Sequence, residues 1–221
     1  MDNRNDKPCI VFDLDGTLVN TWNIHLKTCY ETALEVTGIQ YKKLDIIRAN
    51  KVTERETLTA LLGKMDNDKG LKFYTAKFIA NLDLYRVERF EGIDRILEFL
   101  SYSGSPVGLF TGRKRETTMA LLEKTNLTRY FRSVITADDA VRPKPFEEGL
   151  IKTIEELKGS NERSLYIGDT LTDIEIANKL NVSSVLVSWN RGLLPSRGKM
   201  KTAIITDHDD LFEHIKRFID E

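Results

Sequence analysis

Cys9-Ile10-Val11-Phe12-Asp13-Leu14-Asp15-Gly16-Thr17 is an apolar run that ends abruptly in two carboxylates and a glycine turn. Four apolar residues in a row, without polar alternation, describe a strand covered on both faces, as parallel strands are when helices pack on them. Working outward, further short runs share this character: Val107-Gly108-Leu109-Phe110, Ser133-Val134-Ile135-Thr136, Leu165-Tyr166-Ile167 and Ser184-Val185-Leu186-Val187. A shorter run, Ala203-Ile204-Ile205, reads as an edge strand. Helical spacing fills the intervals between the later runs. Met119, Leu121 and Leu122 mark Arg115 to Thr125, and Leu150, Ile151, Ile154 and Leu157 mark Phe146 to Leu157. Asp173 to Leu180 and Asp210 to Ile219 follow. Strand and helix in regular order predict an α/β fold with a doubly wound, Rossmann-like parallel sheet.

One interval breaks the rhythm. From residue 20 to about 89 there are helical stripes and no convincing strand: Leu26, Cys29, Tyr30, Ala33 and Leu34, then Leu58, Leu61 and Leu62, then Leu71, Tyr74, Phe78, Leu82 and Tyr85. A βα crossover needs only about a dozen residues, so this stretch predicts a separate α-helical module inserted into the core. The expected division is a core of 1–19 and 90–221 and a helical module of 20–89.

Composition narrows the function classes. The chain has 221 residues, 30% of them charged, and a net charge of −1, so no global field draws it to nucleic acid or a membrane surface. Recognition of an anion must therefore be local. Two cysteines, Cys9 and Cys29, and three histidines provide neither a disulfide framework nor a zinc pattern. Both thiols read as inert core groups, and His25, His208 and His214 as structural. The N-terminal stretch is polar and the following apolar run is broken by Asp13 and Asp15, which predicts no signal peptide or membrane span and a cytoplasmic location. Nothing in the sequence signals an oligomeric state. No glycine-rich nucleotide-binding motif is present, so a nucleotide cofactor is not expected.

Ligands of an open parallel sheet bind beyond the carboxyl ends of its strands. The first predicted strand ends in Asp13 and Asp15, the second in Thr111-Gly112-Arg113, and the fourth in Gly168-Asp169-Thr170 with Asp173 four residues on; Lys144 follows the third. Three carboxylates with a fourth nearby on one rim repel one another unless a cation neutralises them. An all-oxygen donor set without His or Cys points to Mg²⁺. Each feature alone has an ordinary reading: Asp-Gly-Thr as a turn, Gly-Asp as a helix cap, Lys144 as a loop lysine. Their conjunction at successive strand ends overturns those readings.

In order, Asp13-x-Asp15-Gly16-Thr17, Thr111, Lys144 and Gly168-Asp169-x-x-x-Asp173 resemble the four motifs of the haloacid dehalogenase-like superfamily, and the likeness spans the whole chain. The helical insertion between the first two motifs resembles that superfamily's cap, as laid out in the phosphoglycolate phosphatase and β-phosphoglucomutase-like branch. The resemblance implies an Mg²⁺-dependent phosphohydrolase of small phosphorylated metabolites. Asp13 would be the nucleophile that forms an aspartyl phosphate, and Asp15 the acid and then the base. Metal would be held by Asp13, Asp169 and the Asp15 backbone carbonyl. Asp173 would belong to the metal set mainly by orienting Lys144 or a metal-bound water. Lys144 would offset charge on Asp13, and Thr111, with backbone N–H groups at Gly112, would cradle the phosphoryl oxygens.

Members resembling haloacid dehalogenases lack the acid at the Asp15 position, and those resembling phosphonatases replace it, so its presence favours phosphoryl transfer. The alternatives are a β-phosphoglucomutase-like sugar phosphomutase and a non-catalytic phosphate-binding member. A receiver-type phosphoacceptor is disfavoured, because its aspartate ends the third strand and it has no large insertion. Residues 50–58 resemble the cap's specificity loop, with Lys51 and Arg55 as candidate readers of the substrate's non-phosphate end. That loop has Lys51 where the mutase-like pattern has glycine, and Glu54-Arg55 where it has Arg-Glu. Arg113-Lys114-Arg115, followed by Glu116, reads as a solvated helix start, and Trp189 and Gly192 as shaping a loop near the site.

Overall fold

The computed structural model describes residues 7–63, 67–189 and 202–221. Strand β1 (Cys9–Phe12) is fully buried and lies at the middle of the sheet. It pairs in parallel with β2 (Val107–Phe110) on one side and β4 (Ser164–Gly168) on the other, Phe12 facing Leu109 and Ile167. With β3 (Ser133–Ile135), β5 (Ser183–Val187) and β6 (Ala203–Ile205), the order is β3-β2-β1-β4-β5-β6, all parallel. β6 is an edge strand, as its length suggests.

Period-two alternation divides the core. Ile10 and Phe12 face one side, where Ile93, Ile96, Leu97 and Leu100 of α5 (Ile93–Ser103) and Leu211 and Ile215 of α9 (His208–Asp220) pack. Cys9 and Val11 face the other, against Leu150 and Ile154 of α7 (Glu148–Glu156) and Ile176 and Ala177 of α8 (Leu171–Lys179). Ile151 lies on the outer side of α7, and Met119 of α6 (Arg115–Lys124) is likewise more than a third exposed, so the buried stripes are narrower than the apolar spacing implied. Helix α5 went unread in the sequence, although it carries a clear amphipathic stripe.

Between β1 and β2, before α5, come α1 (Trp22–Thr37), α2 (Lys43–Ala49), α3 (Glu54–Leu62) and α4 (Asn67–Leu84). Leu26, Cys29, Leu58, Leu61, Leu71 and Phe78 pack together in their interior. The strands entering and leaving this insertion run side by side: the Asn20 N–H donates to the Glu88 carbonyl and the Phe90 N–H to the Leu18 carbonyl, each at 3.0 Å. Among the described residues no helix is long and apolar enough to cross a membrane.

Candidate active site

A sheet ordered 3-2-1-4-5-6 reverses its winding between β1 and β4, and the crevice beyond that switch point is where such sheets bind ligands. Asp13 leaves β1 there and Asp169 leaves β4 beside it, with the Asp13 N–H donating to the Ile167 carbonyl at 2.8 Å. Gly16 turns at φ +79°, and a Cβ on it would fall on the Asp169 carboxylate. The glycine is thus required twice, for its backbone angle and for the close approach.

Lys144 reaches this point from the loop before α7. Buried at 3% exposure, its Nζ donates to Asp13 Oδ1 at 2.6 Å and to Asp173 Oδ1 at 2.7 Å. Asp173 also accepts from the Tyr166 hydroxyl at 2.7 Å and from the Thr170 hydroxyl at 2.6 Å and N–H at 3.1 Å. Thr170 and Asp173 form a reciprocal capping box at the start of α8. Burial works against the Asp173 carboxylate, but Lys144 and these donors hold it below the usual range. Asp173 is therefore saturated by protein donors, Lys144 among them. Burial pushes the Asp13 carboxyl up to about 7, with Lys144 pulling it down and Asp173 and Asp15 pushing it up. Burial, and then Asp13 and Asp173, raise Asp169 well above its ordinary value.

Ligand oxygens of Asp13, Asp169 and Asp173 lie within 4.8 Å of one another. With Asp173 taken up by protein donors, the hard oxygens of Asp13 and Asp169, facing the single ammonium of Lys144, fit a divalent cation. The Asp15 carboxylate is not in this cluster. Titration gives the cluster a testable signature. An acid whose folded pKa is raised contributes stability that is present below its unfolded value and lost as pH rises through the folded value. Between pH 4 and pH 8 the metal-free fold should therefore lose stability through Asp13 and Asp169. A divalent cation should raise Tm more at pH 8 than at pH 5 in calorimetric scans; an equal gain at both would contradict the cluster as the binding site.

Asp15 is held by a group that sequence reading misplaced. Arg113, far from marking a solvated helix start, is 5% exposed. Its Nε donates to Asp15 Oδ2 at 3.0 Å, its Nη2 to Asp15 Oδ1 at 2.7 Å, and its Nη1 to Glu54 Oε1 at 2.8 Å, while the guanidinium stacks 4.2 Å from the centre of the Phe78 ring. The bidentate fork fits a carboxylate plane as an ammonium could not. Thr21 also donates its hydroxyl to Asp15. Burial opposes ionisation of Asp15, but Arg113 and Thr21 outweigh it and hold the carboxyl below its ordinary range. Arg115 and Glu116 do face solvent as expected; the burial of Arg113 is set by partners 59 and 98 residues away. Position at a strand end, two residues after Thr111, was the signal that could have found it.

Thr111 is buried and its hydroxyl accepts from the Arg113 N–H at 3.2 Å. A Cβ on Gly112 would fall on the Val52 carbonyl, so the 50–54 loop sits directly on the β2–α6 turn. Lys51 and Arg55 both border the cavity, but the Arg55 guanidinium pairs with Asp68 at 2.8 Å on the surface. His25 is hydrogen-bonded to Tyr74 and Asn50, each at 2.8 Å, and burial and Arg113 lower its pKa to about 4. It is a neutral, structural group that also lines the cavity. Burial raises the thiols of Cys9 to about 11 and Cys29 to about 12, as inert core groups require. Trp189 donates its indole N–H to the Thr17 carbonyl at 3.0 Å and stacks on His208; Gly192 lies outside the described residues. The cavity that joins these groups has a volume of about 1380 Å³ and opens between the helical insertion and the sheet.

Comparison with known proteins places this geometry. A family model described as haloacid dehalogenase-like hydrolase matches residues 10–187. A pyrophosphatase PpaX of Bacillus cereus is 30% identical over 182 residues, covering 81% of this chain and 82% of that protein. Among solved structures, CbbY from Rhodobacter sphaeroides in complex with phosphate superposes with a TM-score of 0.80 at 18% identity over 93% of this chain and 96% of that one. A haloacid dehalogenase-like family hydrolase from Streptococcus pneumoniae gives 0.77 at 18% identity, over 95% and 98%; at that identity both likenesses speak to fold. The match over most of the chain, on the strands that carry Asp13, Thr111 and Asp169, makes this protein a member of the haloacid dehalogenase-like hydrolases.

Proposed function

We propose that the chain is an Mg²⁺-dependent phosphomonoesterase that works through a phosphoryl group carried on Asp13. The observation that carries this reading is the Asp13 carboxylate at the switch point, 2.6 Å from the buried Lys144 ammonium and facing Asp169. An Asp13 oxygen attacks phosphorus as the bond to the departing oxygen breaks, and that oxygen takes a proton from Asp15. Water then gives a proton to Asp15 and attacks the same phosphorus, which releases inorganic phosphate and restores Asp13. Held by Arg113 and Thr21, Asp15 is ionised in the free site, so it takes up a proton, from solvent or from a monoprotonated ester, before the first step, and returns to the ionised state that the second step needs. Lys144 holds the attacking carboxylate in place and offsets its charge, Thr111 and the Gly112 N–H receive phosphoryl oxygens, and Asp173 keeps Lys144 aligned. Asp13 and Asp169, with the Asp15 carbonyl, would hold Mg²⁺, which when bound supplies charge that offsets repulsion between carboxylate and phosphate.

Residues 20–89 act in this reading as a cap over the core of 1–19 and 90–221, with the 50–58 loop, including Lys51 and Arg55, at the leaving-group end. A panel of phosphate esters assayed with Mg²⁺ tests the reading. Wild type should release phosphate from several of them, an aryl phosphate included, and chelation should stop it. Turnover of every ester no faster than by Asp13→Asn would refute it.

A further inference from the structure

We propose that Glu54 is a specificity-determining residue that neutralises Arg113 and so selects esters whose departing group is uncharged and hydroxyl-bearing over those whose departing group is an anion. This rests on the phosphatase reading above. Arg113 is the buried cation at the leaving-group end of the cavity, and an anionic leaving group would need it. Three of its N–H donors are already committed to protein carboxylates, two to Asp15 and one to Glu54. Whether or not Asp15 carries its proton, Glu54 matches the charge of Arg113. A substrate carboxylate or second phosphate there would meet a compensated guanidinium and a buried anion beside it.

Glu54 is built to stay in that role. It is 5% exposed and sits in the first turn of α3, fixed by the Thr53–Glu56 capping box. Its Oε1 accepts from Arg113 Nη1 at 2.8 Å and the Thr117 hydroxyl at 2.9 Å, and its Oε2 from the Lys114 N–H at 3.3 Å. Burial pushes its pKa upward, but the Arg113 guanidinium and the Lys114 N–H, which can only donate, favour the carboxylate, and the Thr117 hydroxyl donates to it as well. Of the other groups lining this end, Asn20, Asn23, Asn50 and His25, which burial keeps neutral, are uncharged, whereas Arg55 and Glu56 are charged but exposed, Arg55 being paired with Asp68. Trp22, 43% exposed, adds a flat face of the kind that covers a sugar ring. Lys51 stands at the rim in solvent, where a charge contact is screened and weak.

Matched esters that differ by one carboxylate isolate the effect. With Mg²⁺, kcat/KM is measured for glycerol 3-phosphate against 3-phosphoglycerate and for glucitol 6-phosphate against 6-phosphogluconate, in wild type and Glu54→Gln. Wild type should favour the uncharged member of each pair by about tenfold or more, and Glu54→Gln should narrow or reverse the gap by a similar factor. Equal use of both members by wild type, or preference for the anion, overturns the inference. So does an unchanged gap in a Glu54→Gln protein that keeps its wild-type circular dichroism. If that variant does not fold, the wild-type ratios still decide. Hydrolysis of 4-nitrophenyl phosphate without the preference sinks this inference and leaves the phosphatase reading standing; no turnover of any ester beyond Asp13→Asn sinks both.

Discussion

Asp13→Asn is expected to lose at least about a thousandfold in kcat while keeping the wild-type fold and an equal or higher Tm. The two halves of this expectation have one cause. The Asp13 carboxyl is 6% exposed, faces Asp169, and is pushed up to about 7 by burial, so its charge is costly to the fold. An isosteric amide keeps the shape of the strand end, removes that charge, and leaves Lys144 paired with Asp173 at 2.7 Å. Groups of this kind are retained for chemistry at the expense of stability. Steady-state kinetics on an aryl phosphate and a thermal scan check both halves. A variant that is inactive because it has melted would show Asp13 to be structural, and one that keeps most of its kcat would remove it as nucleophile.

Lys144→Ala should fail differently, losing activity and stability together. Its ammonium is 3% exposed and bonded to both Asp13 and Asp173. Deleting it leaves two buried carboxylates, with Asp169 beside them, without their cation. Removing one partner from a buried ion pair costs about 3–5 kcal/mol, which for a chain of this size lowers Tm by roughly 10 °C. The deficit should be largest near pH 8 and shrink toward pH 5, because Asp13 and Asp169, raised by burial, can then take up protons in place of the lost charge. Saturating Mg²⁺ should recover part of the Tm and little of the kcat, since it neutralises the cluster without holding Asp13 where Lys144 held it. A pH-independent deficit, or full kinetic rescue by Mg²⁺, would contradict this account of Lys144.

The contrast between Lys144 and Arg113 shows where a sequence can be read and where it cannot. β1 and its terminal Asp13 were legible because a fully buried strand needs an unbroken apolar run and a site needs polar residues where that run stops; both are local facts. The same rule applied to the next strand ends singled out Thr111 and Asp169, and Lys144 stood out in the loop that follows β3; the structure brings Lys144 and Asp169 to Asp13. Arg113 occupies such an end too, yet its neighbours Lys114, Arg115 and Glu116 imitate the solvated start of a helix, as Arg115 and Glu116 in fact are. Its burial depends on Asp15, Glu54 and Phe78 arriving from three separate segments, and no local pattern announces that. For Asp173 the sequence left two options, orienting Lys144 or binding metal, because it does not show that Tyr166 and Thr170 donate to its carboxylate. Arg55 was legible only by halves: its charge and loop position suggested the cleft, which it does border, while its pairing with Asp68 comes from a segment 13 residues away.

In the proposed reaction, phosphoryl transfer passes through Asp13. Asp15→Asn removes the group that deprotonates water and leaves the first displacement open for an ester with a good leaving group. Incubated with 4-nitrophenyl phosphate and Mg²⁺, acid-quenched and digested, this variant should carry one phosphoryl group on the peptide containing Asp13, and Asp13→Asn in the same background should carry none. Turnover by the wild type with no phosphoryl group on that peptide, or with one on a different residue, would contradict the account.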